Sequence, residues 1–242
     1  MAPLEYRELH SWPATKKEAY TIQDEIASLV QLHANTVSPE LIAAIDKAYG
    51  QNGEMLYVSV VITTFPEIEV VERAYHYGPV NFPYVPGLFF FREGPIIVEA
   101  LTKVKNDPDL IIASGHGMAH PKQCGLACHI GIAFDKPTIG CARKLLAGHH
   151  RPVSETKGSY QPIIIGSKEV GLAYRSRENV KPIFISPAHK CSLEQAREIV
   201  VQNLRGFRLP EPLRLAHLFA NKYRRHIETQ GVQKGKFGNE TF

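Results

Sequence analysis

Short apolar runs separated by turn residues dominate the first part of the chain. Three of them have the length and the apolar or β-branched character of strands: residues 41–46, 56–64 and 68–77. A Gly-Gln-Asn-Gly turn at residues 50–53 separates the first two, and Pro66 precedes the third. Because their connections are short, these runs predict an antiparallel meander.

Helical and strand-like patterns alternate through the rest of the chain. Helices are predicted over residues 13–34, 95–104 (with Pro95 in the first turn), 125–134, 192–204 (capped by Ser192 and Gln195) and 212–225. Further strands are predicted over residues 88–92, 109–113, 137–140, 163–165, 170–174 and 182–186. A meander followed by strand–helix alternation predicts one α/β domain with a mixed sheet, over residues 1–228. Residues 229–242 are polar and are expected to form a disordered tail.

Composition narrows the class of protein without identifying a function. With 242 residues, 44% of them hydrophobic and 21% charged, the chain is typical of a globular protein. No run approaches the roughly 18 apolar residues of a membrane span, and the first residues lack the apolar core of a signal peptide, so we expect a cytoplasmic protein. The net charge of +4 permits nucleic-acid binding without arguing for it. Four irregularly spaced cysteines are too few for a disulfide framework.

Two acids follow apolar runs that we interpret as strands. Asp46 ends the run 41–46, and Glu93 ends the run 88–92. An acid there is unfavourable unless it is solvated, paired or bound to a metal ion. If the two strands are neighbours, both carboxylates can share a divalent ion such as Mg²⁺, which prefers hard oxygen ligands. The alternative is that each acid is a solvated residue at a strand end.

The run 109–113 breaks at Ser114, where the turn Gly115-His116-Gly117 begins. Glycines let a backbone turn sharply and approach a ligand closely, and α/β sheets place their sites at such strand ends.

The segment 82–87, Phe-Pro-Tyr-Val-Pro-Gly, is stiff and aromatic. It is either a wedge that enters a base stack or an ordinary proline-rich loop.

Histidines and cysteines in the same region leave a metal alternative open. His116 and His120 are four residues apart, but Gly117 stands where the zinc-protease motif requires Glu. If the segment is helical, His120, Cys124 and Cys128 lie along one stripe and form a soft-metal site such as one for zinc. The alternative is that the cysteines are small buried hydrophobic residues. His217 lies in the first turns of the last predicted helix, where a lone histidine is more often structural than catalytic.

Taken together, six separated blocks resemble the endonuclease V family in order and spacing. The blocks are Pro-Tyr-Val-Pro-Gly at 83–87, Phe-Arg-Glu-Gly-Pro at 91–95, Pro-Asp-Leu at 108–110, Gly-His-Gly-Met-Ala-His-Pro at 115–121, Pro-Thr-Ile-Gly at 137–140 and Arg-Leu-Pro-Glu-Pro-Leu-Arg at 208–214, with His217.

The resemblance implies a ribonuclease H-like fold with a mixed five-stranded sheet flanked by helices. It also implies a nuclease for DNA repair that uses Mg²⁺ or Mn²⁺ and binds hypoxanthine, the deaminated adenine of inosine, flipped into a pocket. The family cuts the second phosphodiester bond 3′ to the lesion, in DNA or in RNA.

Site residues follow from the resemblance position by position. Asp46 and Glu93 are implied as metal ligands, with His217 beside the metal and His120 at the substrate. The implied wedge consists of Pro83, Tyr84, Val85 and Pro86. Within it, Tyr84 is implied to fill the gap left by the flipped base. The implied pocket is lined by Gly115, Gly117, Ile139 and Gly140.

Two positions depart from the family pattern. Ser114 stands where the family has a metal-binding aspartate, so that one negative charge is missing, and Asp109 is at the other end of the strand. Arg143 replaces a lysine and keeps a charge that can hold a phosphate, although with different geometry. We therefore expect an endonuclease V homologue with weakened or lost cleavage and retained binding of inosine-containing DNA, with inosine-containing RNA left open as a second substrate. The alternative is a binding protein for inosine or branched nucleic acid without chemistry. A monomer is the default expectation.

Overall fold

The computed structural model describes residues 4–32 and 38–230. In order along the chain, the elements are α1 (Lys16–Ala27), β1 (Leu41–Tyr49), β2 (Met55–Thr64), β3 (Val70–Pro79), α2 (Phe89–Leu101), β4 (Leu110–Ala113), α3 (Leu126–Ala133), β5 (Thr138–Ala142), β6 (Tyr160–Ile165), β7 (Lys168–Tyr174), β8 (Ile183–Pro187), α4 (Leu193–Gln202) and α5 (Glu211–Gln230).

All of these strands form one mixed sheet in the order β3-β2-β1-β4-β5-β8-β7-β6. Strands β1, β2 and β3 form the predicted antiparallel meander, and β1, β4 and β5 are parallel neighbours. The α/β class with a mixed sheet is confirmed, but the expectation of five strands is wrong, because the sheet has eight strands within the described residues. The additional strands join because β8 pairs with β5 in antiparallel fashion and the β6–β7 hairpin extends from it.

The segment that carries Glu93 is a helix and not a strand. Helix α2 begins at Phe89, includes Pro95 in its interior, and buries Phe90, Phe91 and Glu93. A short apolar run does not distinguish a buried strand from a buried helix. The apolar residues after Glu93 continue the same helix, so that the predicted strand 88–92 and helix 95–104 are one element.

The helices divide between the two faces of the sheet. Ala43 and Ile45 of β1 pack in one core with α2 and α3, whereas Ile42 and Ala44 pack in a second core with α4 and α5. Successive side chains of a strand point to opposite faces, so β1 contributes to both cores. Strand β1 also extends to Tyr49, which places Asp46 inside the strand and not at its end.

The predicted helices are otherwise present with shifted ends. Helix α1 begins after Thr15, whose side chain forms a capping box with Glu18, and ends at Ala27. The predicted end at residue 34 lies outside the described residues, as do residues 231–242 of the predicted tail. Ser192 caps α4 as predicted, and α5 continues to Gln230. Within the part of the chain that is described, no helix has the length and apolar character needed to cross a membrane.

Candidate functional site

Asp46 is a buried carboxylate with basic neighbours. Its side chain is 3% exposed. Its Oδ2 lies 3.0 Å from His217 Nδ1 and 3.2 Å from Arg143 Nη2. Burial by itself raises the pKa of Asp46, but the hydrogen bond from His217 and the charges of Lys47 and Arg143 outweigh burial and hold that pKa below its usual value. Asp46 is therefore an anion held by groups from β1, from α5 and from the end of β5.

Glu93 is a second buried carboxylate, with different partners. Its Oε2 lies 3.0 Å from Lys47 Nζ, and its Oε1 accepts a hydrogen bond of 2.9 Å from the Tyr49 hydroxyl. Burial and the Glu93 charge raise the pKa of Tyr49, so this hydroxyl keeps its proton. Lys47 Nζ also donates a hydrogen bond of 2.6 Å to the Ser114 carbonyl oxygen. One ammonium group thus joins β1, α2 and the turn after β4.

The alternation of β1 separates the two acids. Asp46 faces α5, whereas Lys47, the next residue, faces α2 and contacts Glu93. The expected pair of acids at neighbouring strand ends is wrong, because Glu93 comes from a helix on the other face of β1. Asp46 and Glu93 are both near the end of β4, but each has its own set of basic partners.

The turn after β4 packs backbone against backbone. The Gly117 N–H donates a hydrogen bond of 2.8 Å to Ser186 Oγ on β8. A β-carbon at Gly140 of β5 would lie 2.4 Å from the Gly117 nitrogen and 2.8 Å from the Gly115 carbonyl oxygen. This close approach requires glycine at position 140. The predicted pocket residues Gly115, Gly117 and Gly140 are therefore neighbours in space, and Ile139 precedes Gly140 on β5. Of these four residues, only Gly115 lines the pocket found at this site.

Two buried histidines of this turn are neutral. Burial lowers the pKa of His116 and of His120 to about 4. His116 Nε2 lies 2.9 Å from the Lys144 carbonyl oxygen, and His120 Nε2 lies 2.8 Å from the carbonyl oxygen of Gly87. His120 thus ties the glycine turn to the end of the proline-rich loop.

The proline-rich loop is anchored at both ends and presents Tyr84. Gln23 Nε2 also donates to the Gly87 carbonyl, at 2.8 Å, and Arg92 donates to the Phe82 carbonyl. Tyr84 is 66% exposed, and its ring centroid lies 5.4 Å from that of Phe89. Pro83 and Pro86 are also exposed, whereas Val85 is partly buried against the core. An exposed ring on a fixed loop is the geometry expected of a wedge.

A pocket of about 290 Å³ joins these parts. Its walls include Gly87 from the loop, Gly115 and His120 from the turn, and Glu93 from α2. Basic residues complete it: Lys47, Arg143 and Lys144. The pocket therefore combines a glycine-rich wall with a basic one.

The zinc alternative is wrong. Cys124 precedes α3 and Cys128 lies within it, both are fully buried, and they pack in the core beneath α2 and α3. Residues 114–124 are not helical, so His120 does not share a helical stripe with the cysteines. His120 is engaged with Gly87 instead.

Lys47 and Tyr49 are the site residues that sequence reasoning missed. A signal was present, because Lys47 follows Asp46 directly in a run that is otherwise apolar. A buried lysine is rare unless it is paired. Lys144 was missed as well, since its place in the pocket depends on the path of the chain after β5.

The divalent ion implied by the resemblance does not fit the side chains as they are arranged. The oxygens of Asp46 and Glu93 are of the type that Mg²⁺ prefers. However, Arg143 and His217 contact Asp46, and Lys47 contacts Glu93. Across residues 4–32 and 38–230, no group of three or more His, Cys, Asp and Glu side chains is placed to hold a metal ion.

Comparison with known proteins identifies the family of this chain. The family model described as Endonuclease V matches residues 24–218. The endonuclease V of Trichormus variabilis is 39% identical over 213 residues, which cover 88% of this chain and 96% of that protein. The endonuclease V of Dehalococcoides mccartyi is 40% identical over 214 residues, which cover 88% and 96%.

Solved structures agree with the sequence relatives. The endonuclease V of Bacillus subtilis has a TM-score of 0.88 at 29% identity, over 94% of this chain and all of that one. The endonuclease V of Ciona intestinalis, in complex with a 24mer DNA containing an inosine followed by a ribo-adenosine, has a TM-score of 0.76 at 25% identity, over 87% and 98%. The chain therefore belongs to the endonuclease V family of nucleases.

Proposed function

We infer that this protein binds inosine-containing nucleic acid and cuts the second phosphodiester bond 3′ to the inosine, with cleavage weakened by Ser114. The observation that carries this proposal is the pocket of about 290 Å³, whose walls combine the glycine turn, the end of the loop that bears Tyr84, and Glu93. Recognition and cutting then occur at adjoining surfaces.

Base recognition rests on the glycine-rich wall. A base in a duplex must leave the stack before a protein can read its edge, at a cost of a few kcal/mol. The loop with Tyr84 is anchored by Gln23, His120 and Arg92, and is suited to hold the gap open. The backbone of Gly115 lines the pocket and is suited to read hypoxanthine, whereas Gly117 and Gly140 pack against each other and hold the turn in place. The Ciona relative in complex with inosine-containing DNA supports inosine as the ligand.

Weak cleavage follows from the charges around the acids. The endonuclease V family depends on a divalent metal ion, and the resemblance implies Mg²⁺ or Mn²⁺, but the basic side chains on the two acids oppose its binding here. Ser114 supplies no carboxylate where the family pattern has aspartate, and serine is a poor ligand for Mg²⁺. Arg143 and Lys47 neutralise the two acids that remain. His217, 3.0 Å from Asp46, is placed to orient that carboxylate.

Nicking of an inosine-containing duplex tests the proposal. The parent protein, Ser114→Asp and the control Ser167→Asp, at an exposed turn, are compared in Mg²⁺ and in Mn²⁺. We expect Ser114→Asp to cut at least about tenfold faster than the parent, and Ser167→Asp to match the parent. Equal rates for the parent and Ser114→Asp would show that Ser114 does not limit cleavage.

A binding protein without chemistry is the second candidate, and the Lys47–Glu93 contact of 3.0 Å favours it. This candidate predicts selective binding of inosine-containing strands with no nicking in either metal. The same assays with RNA and DNA strands separate the two substrates. A monomeric state and a cytoplasmic location stay predictions.

A further inference from the structure

Lys47 holds a position between two oxygen groups that come from different elements. Its Nζ lies 2.6 Å from the Ser114 carbonyl oxygen and 3.0 Å from Glu93 Oε2. The side chains of Lys47 and Glu93 are 15% and 5% exposed. A contact this sheltered is screened less by salt than a surface ion pair.

The ammonium group of Lys47 compensates oxygen groups that a divalent ion would otherwise compensate. A carboxylate as buried as that of Glu93 is strongly unfavourable without a compensating charge. An ammonium carries three N–H donors and no acceptor, so it matches a carboxylate and a carbonyl oxygen together. A hard divalent cation is also bound by carboxylate and carbonyl oxygens. Lys47 therefore joins the kinds of groups that a metal ion joins.

The permanent charges of the two acids and of the two cations that contact them sum to zero. Asp46 and Glu93 contribute two negative charges, and Lys47 and Arg143 contribute two positive ones. A divalent ion gains little attraction from such a set and is repelled at short range by the ammonium and the guanidinium. Lys47 and Ser114 are neighbours in space, and both leave the site less negative. Lys47 adds a positive charge, and Ser114 lacks the negative charge of the aspartate in the family pattern.

We propose that Lys47 is the resident cation of this site and stands in the structural place of a divalent ion. The pocket then offers Lys47, Arg143 and Lys144 to the phosphate backbone, so that inosine-containing nucleic acid binds without a divalent metal. This inference takes the identity of the nucleic acid from the proposed function, but the role of Lys47 toward metal ions is independent of it.

Titration with Mn²⁺ alone tests the role of Lys47. Lys47→Met keeps the length of the side chain and removes its charge. The matched control is Lys136→Met, which removes an ion pair of 2.8 Å with Asp107 at the opposite end of β4 and β5. Binding is measured by calorimetry, and the unfolding temperature is measured in EDTA and in Mn²⁺.

We expect the parent and Lys136→Met to bind Mn²⁺ weakly and to unfold at the same temperature with and without it. Lys47→Met is expected to unfold at a lower temperature in EDTA, to regain stability in Mn²⁺, and to bind Mn²⁺ at least about tenfold more tightly than the parent. Lys47→Met/Ser114→Asp is expected to bind still more tightly. If the parent binds Mn²⁺ as tightly as Lys47→Met, the proposal is overturned.

Two further measurements keep the test decisive. If Lys47→Met does not fold, Lys47→Gln retains a donor for the Ser114 carbonyl and takes its place. Binding of the parent to an inosine duplex is compared in EDTA and in Mg²⁺, where equal affinity supports the proposal and loss of binding in EDTA overturns it. Failure to prefer inosine over adenine in both buffers contradicts the proposed function instead, and leaves the Mn²⁺ titration valid.

Discussion

His129 is a buried histidine whose ring must stay uncharged. It is fully buried in α3, and its ring stacks on Phe90 with centroids 4.3 Å apart. Neither ring nitrogen has a hydrogen-bond partner among the residues that the structure describes. Burial, aided by the nearby His10 and His120, lowers the pKa of His129 to about 3. The folded state therefore excludes a proton that the unfolded chain accepts near pH 6.5.

The stability of the protein is expected to fall as the pH drops below about 6.5, because the unfolded state then binds more protons than the folded state. At pH 5, exclusion of the proton from His129 lowers the free energy of unfolding by about 2 kcal/mol relative to neutral pH. The variant His129→Phe keeps a stacked ring and removes the titrating group. The free energy of unfolding of this variant should therefore change less between pH 7 and pH 5 than that of the parent. Urea unfolding at both pH values measures the difference.

The exposed His149 offers the control for this measurement. His149→Phe should retain the pH dependence of the parent. A packing penalty from the larger ring at position 129 is expected to affect both pH values equally, so the comparison between them isolates the titration. An unchanged slope in His129→Phe would contradict the assignment.

Among the elements, those with a local signal were predictable. The turn residues at 50–53 and the β-branched runs around them specify the meander, and Ser192 specifies the start of α4. Helix α2 was not predictable from its first residues, because the environment of Phe90 and Phe91 is supplied by α1, α3 and the sheet. The Lys47–Glu93 contact was hidden for the same reason, since it depends on Glu93 lying on a helix packed beside β1. By contrast, the glycine turn and Gly140 were predicted as neighbours through the family resemblance.

The contact between the glycine turn and β5 predicts a large effect of one methyl group. In Gly140→Ala, the new β-carbon would meet only backbone: the Gly117 nitrogen at 2.4 Å, and the Gly115 carbonyl oxygen and the His116 carbonyl carbon at 2.8 Å. Backbone atoms cannot rotate away, so the turn must move. We expect a loss of about 1–3 kcal/mol in unfolding free energy and weaker binding of an inosine duplex, measured by thermal unfolding and fluorescence anisotropy.

Gly78→Ala on strand β3 is the matched control for Gly140→Ala. Its β-carbon would meet only Cγ1 of the Ile96 side chain, at 3.4 Å. Binding of the inosine duplex should be unchanged in this variant. Equal losses of binding in the two variants would show that the turn does not shape the pocket.

On the scale of the whole molecule, the sheet gathers one surface from distant parts of the chain. Strands β4 and β5 end beside β1, which continues to Tyr49; α2 and α5 flank these strands on opposite faces, and the loop with Tyr84 enters from the side of α2. Because β6–β8 extend the far side of the sheet, the site lies near its middle and not at an edge. A duplex bound there would meet the exposed Tyr84 ring beside the pocket.

That placement leads to a prediction that separates duplex from single strand. A wedge stabilises the gap left by a flipped base, and a single strand has no such gap. Tyr84→Ala should therefore weaken binding of an inosine-containing duplex by about tenfold or more, in line with roughly 1–3 kcal/mol for stacking on one base, and should weaken binding of the same single strand much less. Tyr160→Ala removes another exposed tyrosine, 45% exposed on the edge strand β6 and stacked on Tyr174, and should leave both affinities unchanged. Anisotropy titrations with labelled strands measure all of these affinities. An equal loss on duplex and single strand would identify Tyr84 as a general contact and not as a wedge, because only the duplex contains stacked base pairs that a wedge must hold apart.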